Sequence, residues 1–334
     1  MVFHRTSFVA NTTHLIYLQR IMNASSFTTF ILINYESMEQ HKYIYFTIFL
    51  LPYILIIILN TCLITVICKD RTLHEPMYIF ICNLSFNGIY GSTALLPHIM
   101  SKLISQSYKI SLANCLTQIY CLHTFAIIEL MILAIMGYDR YAAICTPLHY
   151  HNKMSPGKVK FFIAVSWLFP FCTFPVLLAL TIRLSFCANV IPKTHCSNFD
   201  LVKLSCSDTS LNNFVGIFTM CIHLFPQFLV ILFSYVQILR ICLNASKECQ
   251  KKALQTCTPH LLAVIIYFFG AIFEVTQVRI KNNQIPYGIA VFMSVYFLIM
   301  PPLLNPVIYG ASALKIHIYR HIYHQKRRKL SPAS

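Results

Sequence analysis

Charged side chains are scarce in this chain. Of its 334 residues, 11% are charged and 57% are hydrophobic, whereas soluble domains are roughly a quarter charged. So few charges cannot cover a soluble core of this size, but a lipid bilayer replaces the polar shell that a soluble protein needs. The shortage of charge therefore excludes an ordinary soluble domain and favours an integral membrane protein.

Acidic residues are especially few, with 10 Asp and Glu against 26 Lys and Arg and a net charge of +16. A basic balance can indicate nucleic-acid binding, but the high apolar content argues against nucleic acid as a partner. Basic membrane proteins instead place their Lys and Arg on cytoplasmic loops, where these residues set the orientation.

Several motifs are also missing. The sequence has no long internal repeat, which argues against an inverted-repeat transporter. It has no catalytic triad, metal cluster or phosphate-cradling loop, so we predict that the chain is not an enzyme. A channel or transporter should line its path with ionisable residues, yet the acids within apolar stretches are nearly limited to Glu129 and Asp139, with Glu274 near one end.

Seven apolar stretches account for most of the length and leave no room for a second globular domain. Each is long enough to cross a bilayer, and in lipid each should be a helix. We predict an all-α membrane protein, a seven-transmembrane helix bundle over residues 43–310 with an N-terminal segment over 1–42 and a tail over 311–334. The stretches are 43–67, 77–100, 113–142, 159–182, 212–241, 255–278 and 286–310.

Basic residues predict the orientation of this bundle. The first, third and fifth connections and the C-terminus carry more of them than the other face does, which predicts an outer N-terminus and an inner C-terminus. The basic residues on the other face are Lys102, Lys109, Arg183, Lys193 and Lys203. Asn11 and Asn23 begin glycosylation motifs on the predicted outer side. Met22 precedes Asn23 directly and is an alternative start, which would make residues 1–21 an upstream extension. The basic residues on the predicted inner side are Lys69, Arg71, Lys153, Lys158, Lys247, Lys251, Lys252, Lys326, Arg327, Arg328 and Lys329.

The segment 311–329 mixes apolar and basic side chains, with Leu314, Ile318 and Ile322 among Lys315 and Arg320. This pattern predicts a short amphipathic helix on the inner leaflet. From about residue 324 onward, the basic composition predicts a disordered tail.

Four of the 14 cysteines lie at predicted outer ends: Cys115, Cys187, Cys196 and Cys206. That side is oxidising, so disulfides are expected there, and four cysteines allow three connectivities. A metal site is the alternative, but the short Cys-x-x-Cys pairs of zinc modules are missing from these spacings.

Five motif stretches, spread over nearly the whole chain, resemble the odorant receptors among rhodopsin-like G-protein-coupled receptors. The run Asn87 to Gly91 is similar to fish odorant receptors in particular. The stretches are Leu73-His74-Glu75-Pro76-Met77-Tyr78; Met136-Gly137-Tyr138-Asp139-Arg140-Tyr141 with Ala143-Ile144-Cys145 and Pro147-Leu148-His149-Tyr150; Ser234-Tyr235; Lys252-Ala253 with Thr256-Cys257 and His260-Leu261; and Pro302 with Asn305-Pro306-Val307-Ile308-Tyr309.

The resemblance implies a function and a disulfide pattern. It implies a receptor in the plasma membrane of sensory neuron cilia that binds a small odorant and activates a stimulatory heterotrimeric G protein, which raises cAMP. It also implies the pairs Cys115–Cys196 and Cys187–Cys206. An endogenous ligand outside the nose is the alternative within the same fold.

Activation residues follow from the same resemblance. Asp139 is expected to hold Arg140 by a charge-assisted bond at rest, and Arg140 to turn toward the G protein when the helices part. A plain interfacial ion pair is the alternative reading. The implied switch and coupling residues are Asp139, Arg140, Tyr141, Pro147, His149, Tyr235, Lys252, His260, Asn305, Pro306 and Tyr309.

Glu129 lies where the family carries an acid that helps to hold a sodium ion. The usual partner acid on the second span is missing, since Gly88 stands in its place with Asn87 beside it. Two readings stay open: a sodium site at Glu129, or a protonated Glu129 hydrogen-bonded within the bundle, because burial disfavours a charged carboxylate.

A ligand pocket is expected in the outer half of the bundle, apolar with a few polar groups. Leu122 stands where amine receptors carry an aspartate, so a charged amine bound in that manner is not expected. His123 and His223 are the polar candidates, although a membrane histidine is more often a packing residue. The candidates projected from the family are Leu122, His123, Ala126, Ile127, Thr219, His223, Ile272, Val275 and Val295.

Overall fold

Seven apolar helices form one bundle in the computed structural model. The structure describes residues 27–279, 289, 291–293 and 295–310, without side chains at 37 and 275–279. The N-terminal residues 1–26, including Asn11 and Asn23, and the tail 311–334 with its predicted amphipathic helix lie outside the described residues. The apolar helices are α1 Lys42–Lys69, α2 Pro76–Ser105, α3 Leu112–Cys145, α4 Pro156–Ile182, α5 Ser210–Leu243, α6 Lys247–Arg279 and α7 Val295–Gly310. Two short helices, Tyr150–Lys153 and Asn198–Lys203, lie in the connections after α3 and α4.

Helix boundaries follow local chemistry. Pro76 and Pro156 stand in the first turns of α2 and α4, where the missing amide hydrogen costs nothing. The side chain of Ser111 caps α3 by accepting a hydrogen bond from the amide of Asn114 at 3.3 Å. Pro52 and Pro226 lie inside α1 and α5 without ending them, as neighbouring helices permit in a bundle.

Six of the helices, α1 to α6, are long and apolar enough to cross a membrane, and α7 is a shorter apolar helix. The predicted stretches therefore correspond to helices, although residues 286–288, 290 and 294 of the seventh stretch lie outside the described residues. The extents differ at α2, which ends at Ser105 instead of 100, and most of all at α6. The sixth stretch was predicted to begin at 255, whereas α6 begins at Lys247. Its first two turns are polar and exposed, with Lys251 and Lys252 on the surface, and an apolar stretch does not reveal such an extension.

Glycines allow two pairs of helices, α2 with α3 and α6 with α7, to approach each other closely. A Cβ atom built at Gly91 of α2 would overlap the ring of Phe125 on α3, and one at Gly270 of α6 would stand 2.5 Å from the Phe297 ring. Both glycines therefore permit a helix contact that a larger side chain would prevent. Phe125 is fully buried and packs in the core at this level.

A small three-stranded sheet covers one end of the bundle, which we call the sheet end. Its strands are β1 Thr29–Leu32, β2 Lys109–Ser111 and β3 Val190–Ile191. The middle strand β1 pairs antiparallel with β2 and parallel with β3. The sheet thus ties the segment before α1 to the α2–α3 and α4–α5 connections.

The segment between β1 and α1 is a 3-10 helix, Ile33–His41, that continues this cover. Phe30, Leu32 and Tyr35 are fully buried, and the Tyr35 hydroxyl donates to the carbonyl oxygen of Thr194 at 2.8 Å. The Tyr35 ring stacks on Tyr108 with centroids 5.5 Å apart. The end of the predicted N-terminal segment is therefore folded against the bundle.

Candidate functional site

Two disulfides hold the sheet end together. Cys115 at the start of α3 is joined to Cys196, and Cys187 is joined to Cys206 within the α4–α5 connection. These are the pairs that the resemblance implied. The amide of Cys196 also donates to Oε1 of Gln118 at 2.8 Å, so the long connection is fixed to α3 at two adjacent points.

A group of charged side chains, of which Glu274 is one-third exposed, links the same connection to α6. The Nζ atom of Lys193 lies 3.3 Å from Asp200 and 3.2 Å from Glu274. Burial lowers the pKa of Lys193, but the two carboxylates raise it by more, so its pKa lies above the usual value. His195 is 4% exposed, with Nε2 4.0 Å from Glu274, and burial lowers its pKa below 6.5. The group was not predicted, because Glu274 is distant along the chain from the other three residues.

The opposite end of the bundle carries Asp139 and Arg140, and we call it the arginine end. Asp139 is fully buried, and its Oδ2 atom pairs with the guanidinium of Arg140, whose Nε lies 3.1 Å away. Its Oδ1 atom accepts a hydrogen bond from the Tyr150 hydroxyl at 2.8 Å. Both carboxylate oxygens are thus occupied, and Tyr150 joins the connection after α3 to the pair.

His260 of α6 contacts two other helices at this end. Its Nε2 lies 2.8 Å from the carbonyl oxygen of Leu133 on α3, and its Nδ1 lies 2.6 Å from the hydroxyl of Tyr235 on α5. A carbonyl oxygen only accepts, so Nε2 carries the hydrogen and Nδ1 accepts from Tyr235. His260 is fully buried and fixes α3, α5 and α6 to one another.

The remaining switch candidates lie around this contact. Tyr141 packs edge-on against Phe233 of α5, with centroids 5.4 Å apart. Tyr309 is 3% exposed, and its hydroxyl has no hydrogen-bond partner among the described residues. Pro306 and Asn305 are buried in α7. Three further candidates, Pro147, His149 and Lys252, are exposed on the surface of the arginine end. Leu148, between the first two, is exposed as well.

Glu129 lies in the middle of the bundle, 1% exposed. Its Oε2 accepts from Nδ2 of Asn87 at 2.8 Å, and its Oε1 accepts from Nδ2 of Asn305 at 2.7 Å. Asn87 thus contacts the carboxylate at the level where Gly88 replaces the usual acid. A Cβ at Gly88 would stand 3.1 Å from Cβ of Pro302, so the glycine allows α2 and α7 to meet there.

The amide oxygens of this cluster are available to a ligand. Oδ1 of Asn87 and Oδ1 of Asn305 are buried and have no hydrogen-bond partner in the described part of the chain. Amide and carboxylate oxygens are hard donors of the kind that small hard cations take as ligands. The chemistry of Asn87, Glu129 and Asn305 therefore fits a sodium ion.

Two ligand candidates come together in the sheet half of the bundle. The rings of His123 on α3 and His223 on α5 have centroids 6.2 Å apart. His223 is 1% exposed, and its Nε2 lies 2.7 Å from Oγ1 of Thr173 on α4. The His123 ring stacks on Phe174, with centroids 3.9 Å apart. Phe174 and Thr173 were not predicted, because α4 is apolar on all sides and its sequence does not show which face points inward.

The other ligand candidates differ in position. Ile127 and Val295 are buried, and Leu122 packs against the core cluster that contains Val295. The carbonyl oxygen of Ala126 accepts from the hydroxyl of Tyr267 at 3.0 Å, and Thr219 is half-buried. Val275 has no described side chain.

The prediction that Ile272 lines the ligand pocket is wrong. Its side chain is 56% exposed on the outside of α6, so it does not line the interior. The sequence could not exclude it, because α6 is apolar on several sides at this level and its rotation is set by packing.

Comparison with known proteins gives one consistent result. A sequence model described as "Olfactory receptor" matches residues 49–326. Olfactory receptor 1f45 of Rattus norvegicus is 35% identical over 290 residues, 86% of this chain and 92% of that protein. Olfactory receptor 1E16 of Mus musculus is 35% identical over 292 residues, 86% and 91%. Olfactory receptor 1D2 of Gorilla gorilla gorilla is 33% identical over 297 residues, 88% and 94%.

Proposed function

The chain belongs to the olfactory receptor family, and from that premise we propose that it binds a small odorant molecule within its helix bundle and activates a heterotrimeric G protein. Members of this family are multi-pass G-protein-coupled receptors and not enzymes. The proposed effect of ligand binding is to favour the arrangement of helices that promotes nucleotide exchange on the G protein.

The sheet end faces outward and the arginine end faces the cytoplasm in this proposal. The disulfides Cys115–Cys196 and Cys187–Cys206 support it, because disulfides persist on the oxidising side. Basic residues in the connections at the arginine end support it as well. The family resemblance favours the plasma membrane of sensory cilia as the location.

The observation that carries the proposal is the occupied carboxylate of Asp139. Its two oxygens hold Arg140 and Tyr150 at the end where α3, α5 and α6 meet through His260. When α6 moves away, the His260 contacts are lost and Arg140 becomes accessible to a partner. A bistable contact of this kind converts a small change at a distant site into a binding surface.

The connection after α3 is a proposed contact of the G protein. Leu148 is 94% exposed there between the exposed Pro147 and His149, and Tyr150 of the same connection is hydrogen-bonded to Asp139. Lys252 is exposed on the first turns of α6. We propose that these residues contact a stimulatory G protein, which raises cAMP.

We also propose that Glu129 holds a sodium ion together with the amide oxygens of Asn87 and Asn305. A bound cation would supply positive charge beside a carboxylate that is otherwise costly to bury in charged form. Glu129 keeps α2, α3 and α7 connected through its two asparagine contacts.

A reporter experiment tests the proposed function. An odorant panel is applied to cells that express the chain with a cAMP reporter, and the panel is repeated in cells that lack the stimulatory α subunit. We expect ligand-dependent cAMP only when this subunit is present. Ligand-evoked current or substrate flux in cells without G proteins would contradict the proposal and favour a channel or transporter.

A further inference from the structure

The two facing histidines in the sheet half each have a nitrogen without a partner. The buried Nε2 of His123 and the buried Nδ1 of His223 make no hydrogen bond within the described residues. Their ring centroids are 6.2 Å apart, with an angle of 61° between the planes. Buried polar groups are normally satisfied because an unpaired one is costly, so these nitrogens indicate a site for a hydrogen-bonding ligand.

Thr173 determines which nitrogen of His223 carries the hydrogen. The Thr173 hydroxyl lies 2.7 Å from the carbonyl oxygen of Phe169, one turn earlier in α4, and donates to it. Its oxygen must then accept from Nε2 of His223, which is 2.7 Å away. A neutral imidazole has one hydrogen, so Nδ1 of His223 is an acceptor that requires a donor.

A second acceptor lies on the same face of α5. Gln227 is four residues after His223, a spacing that places both side chains on one side of a helix. Its Oε1 is buried and has no partner among the described residues. Two neighbouring acceptors that both need a donor favour a ligand that donates a hydrogen bond over one that only accepts.

The walls around these atoms are aromatic. Phe174 is fully buried and stacks on His123, with centroids 3.9 Å apart and planes at 18°. Phe169 meets His223 edge-on at 5.2 Å. The ion pairs found among the described residues do not include His123 or His223, so no carboxylate of the described part of the chain holds either imidazole in its charged form.

We propose that this receptor recognises small alcohols or phenols, whose hydroxyl group donates a hydrogen bond to Nδ1 of His223 while the apolar frame packs against Phe174 and His123. The inference rests on the proposed function, because it places the odorant at this site. Thr173 is a positioning residue, which fixes the hydrogen of His223 on Nε2. A hydroxyl oxygen can also accept from His123 when Nε2 of that ring carries a hydrogen.

Other ligand classes satisfy the site less well. Aldehydes, ketones and ethers accept hydrogen bonds but do not donate them, so they leave Nδ1 of His223 unpaired. A carboxylate also only accepts, so it too leaves Nδ1 of His223 without a donor. A protonated amine donates, but it would bury a charge without an acid partner.

Ligands that share a hydrocarbon frame and differ in their functional group provide the first test. The probes are 2-phenylethanol, its methyl ether, phenylacetaldehyde and phenylacetic acid, together with the corresponding set built on 1-octanol. The full-length receptor is assayed by cAMP response in cells and by ligand-induced thermal stabilisation after purification. We expect at least one alcohol to be more potent than its ether, aldehyde and acid by about 10-fold or more, because the hydroxyl satisfies an otherwise unpaired acceptor.

Thr173 variants provide the second test. In Thr173→Val the acceptor for the Nε2 hydrogen is lost, so His223 can carry its hydrogen on Nδ1 and donate to an aldehyde oxygen. We expect the ratio of alcohol to aldehyde potency to fall by about 10-fold or more. In Thr173→Ser the acceptor oxygen remains, and we expect the wild-type ratio.

The outcomes separate this inference from the proposed function. Equal potency of the alcohols and their ethers or aldehydes, absence of binding by every alcohol in both sets, or an unchanged ratio in Thr173→Val would overturn the inference. A cAMP response without alcohol preference leaves the proposed function standing. Selective stabilisation by alcohols without any G-protein response supports the inference and contradicts the proposed function.

Discussion

The hydroxyl of Tyr235 lies 2.6 Å from Nδ1 of His260, and the two rings stack with centroids 5.7 Å apart. The same imidazole donates from Nε2 to the carbonyl oxygen of Leu133. One side chain of α6 therefore uses both nitrogens to stay attached to α3 and α5. This is a polar contact that is broken if α6 moves away from α3 and α5 at the arginine end.

Removing these hydrogen bonds should favour the open arrangement. In His260→Phe the ring is kept and both hydrogen bonds are lost. Because each is worth about 1 kcal/mol, the loss of both is about 2 kcal/mol, and we expect basal G-protein activation to rise by roughly 30-fold. Basal cAMP, normalised to the amount of receptor at the cell surface, measures this.

Thr256→Val is the matched control for His260→Phe. Thr256 is exposed on α6, and its hydroxyl donates within its own helix to the carbonyl oxygen of Lys252 at 2.6 Å. We expect wild-type basal activity from this variant. Unchanged or lower basal activity of His260→Phe at normal surface levels would show that the contact does not restrain α6.

The two disulfides should differ in importance. Cys115–Cys196 closes a separation of 81 residues and Cys187–Cys206 one of 19. Loop-closure entropy makes the longer link more stabilising by about 1 kcal/mol. We expect Cys115→Ser to abolish surface expression and Cys187→Ser to reduce it less.

Surface labelling of the two serine variants in parallel measures this difference. The double variants Cys115→Ser with Cys196→Ser and Cys187→Ser with Cys206→Ser control for unpaired thiols. Normal surface expression and ligand response of the Cys115→Ser variant would argue against a structural role for that disulfide.

Acidic pH should loosen the connection at the sheet end. Burial lowers the pKa of His195 below its usual 6.5. The unfolded form then binds more protons in the interval below about pH 6.5. The stability that this residue contributes is therefore complete above pH 6.5 and is lost as the pH falls toward the lowered pKa.

Hydrogen exchange of residues 187–206 at pH 7.5 and 5.5, corrected for the intrinsic pH dependence of exchange, measures this effect. We expect weaker protection at pH 5.5 in the wild type and a smaller difference in His195→Gln, which cannot titrate. An identical change in both proteins would assign the effect to other groups.

Sodium should stabilise the receptor through Glu129. A ligand at about ten times its Kd stabilises a fold by about 1.4 kcal/mol. We expect the Tm of the purified receptor to be higher in sodium chloride than in choline chloride at equal ionic strength. Glu129→Gln keeps the side-chain volume and removes the charge, so we expect its Tm not to depend on sodium. An equal response of both proteins would favour a protonated Glu129 without a cation.

The sequence predicted the helices well because apolar length decides which segments cross a bilayer. It did not predict the sheet, because strands such as β1 Thr29–Leu32 and β3 Val190–Ile191 are too short to show alternation and pair across distant parts of the chain. The beginning of α6 at Lys247 was also missed, since its exposed polar turns carry no apolar signal.

Site residues that belong to a sequence motif were predictable. Those whose position depends on how a helix is rotated in the bundle were less so. Asp139, Arg140, Tyr235 and His260 come from motifs, and the structure places the last two in contact. The outward position of Ile272 depends on the rotation of α6, which an apolar helix surface does not reveal. The likeness of residues 87–91 to fish receptors stays a prediction.

The most direct test of the account separates ligand binding from G-protein activation at Arg140. Purified wild-type receptor and Arg140→Ala are compared for thermal stabilisation by an activating odorant and for the rate of nucleotide exchange on the G protein. We predict that Arg140→Ala is stabilised by the odorant as the wild type is, while its ligand-dependent nucleotide exchange is lost. Full ligand-dependent exchange by Arg140→Ala would contradict the central claim that Arg140 transmits ligand binding to the G protein.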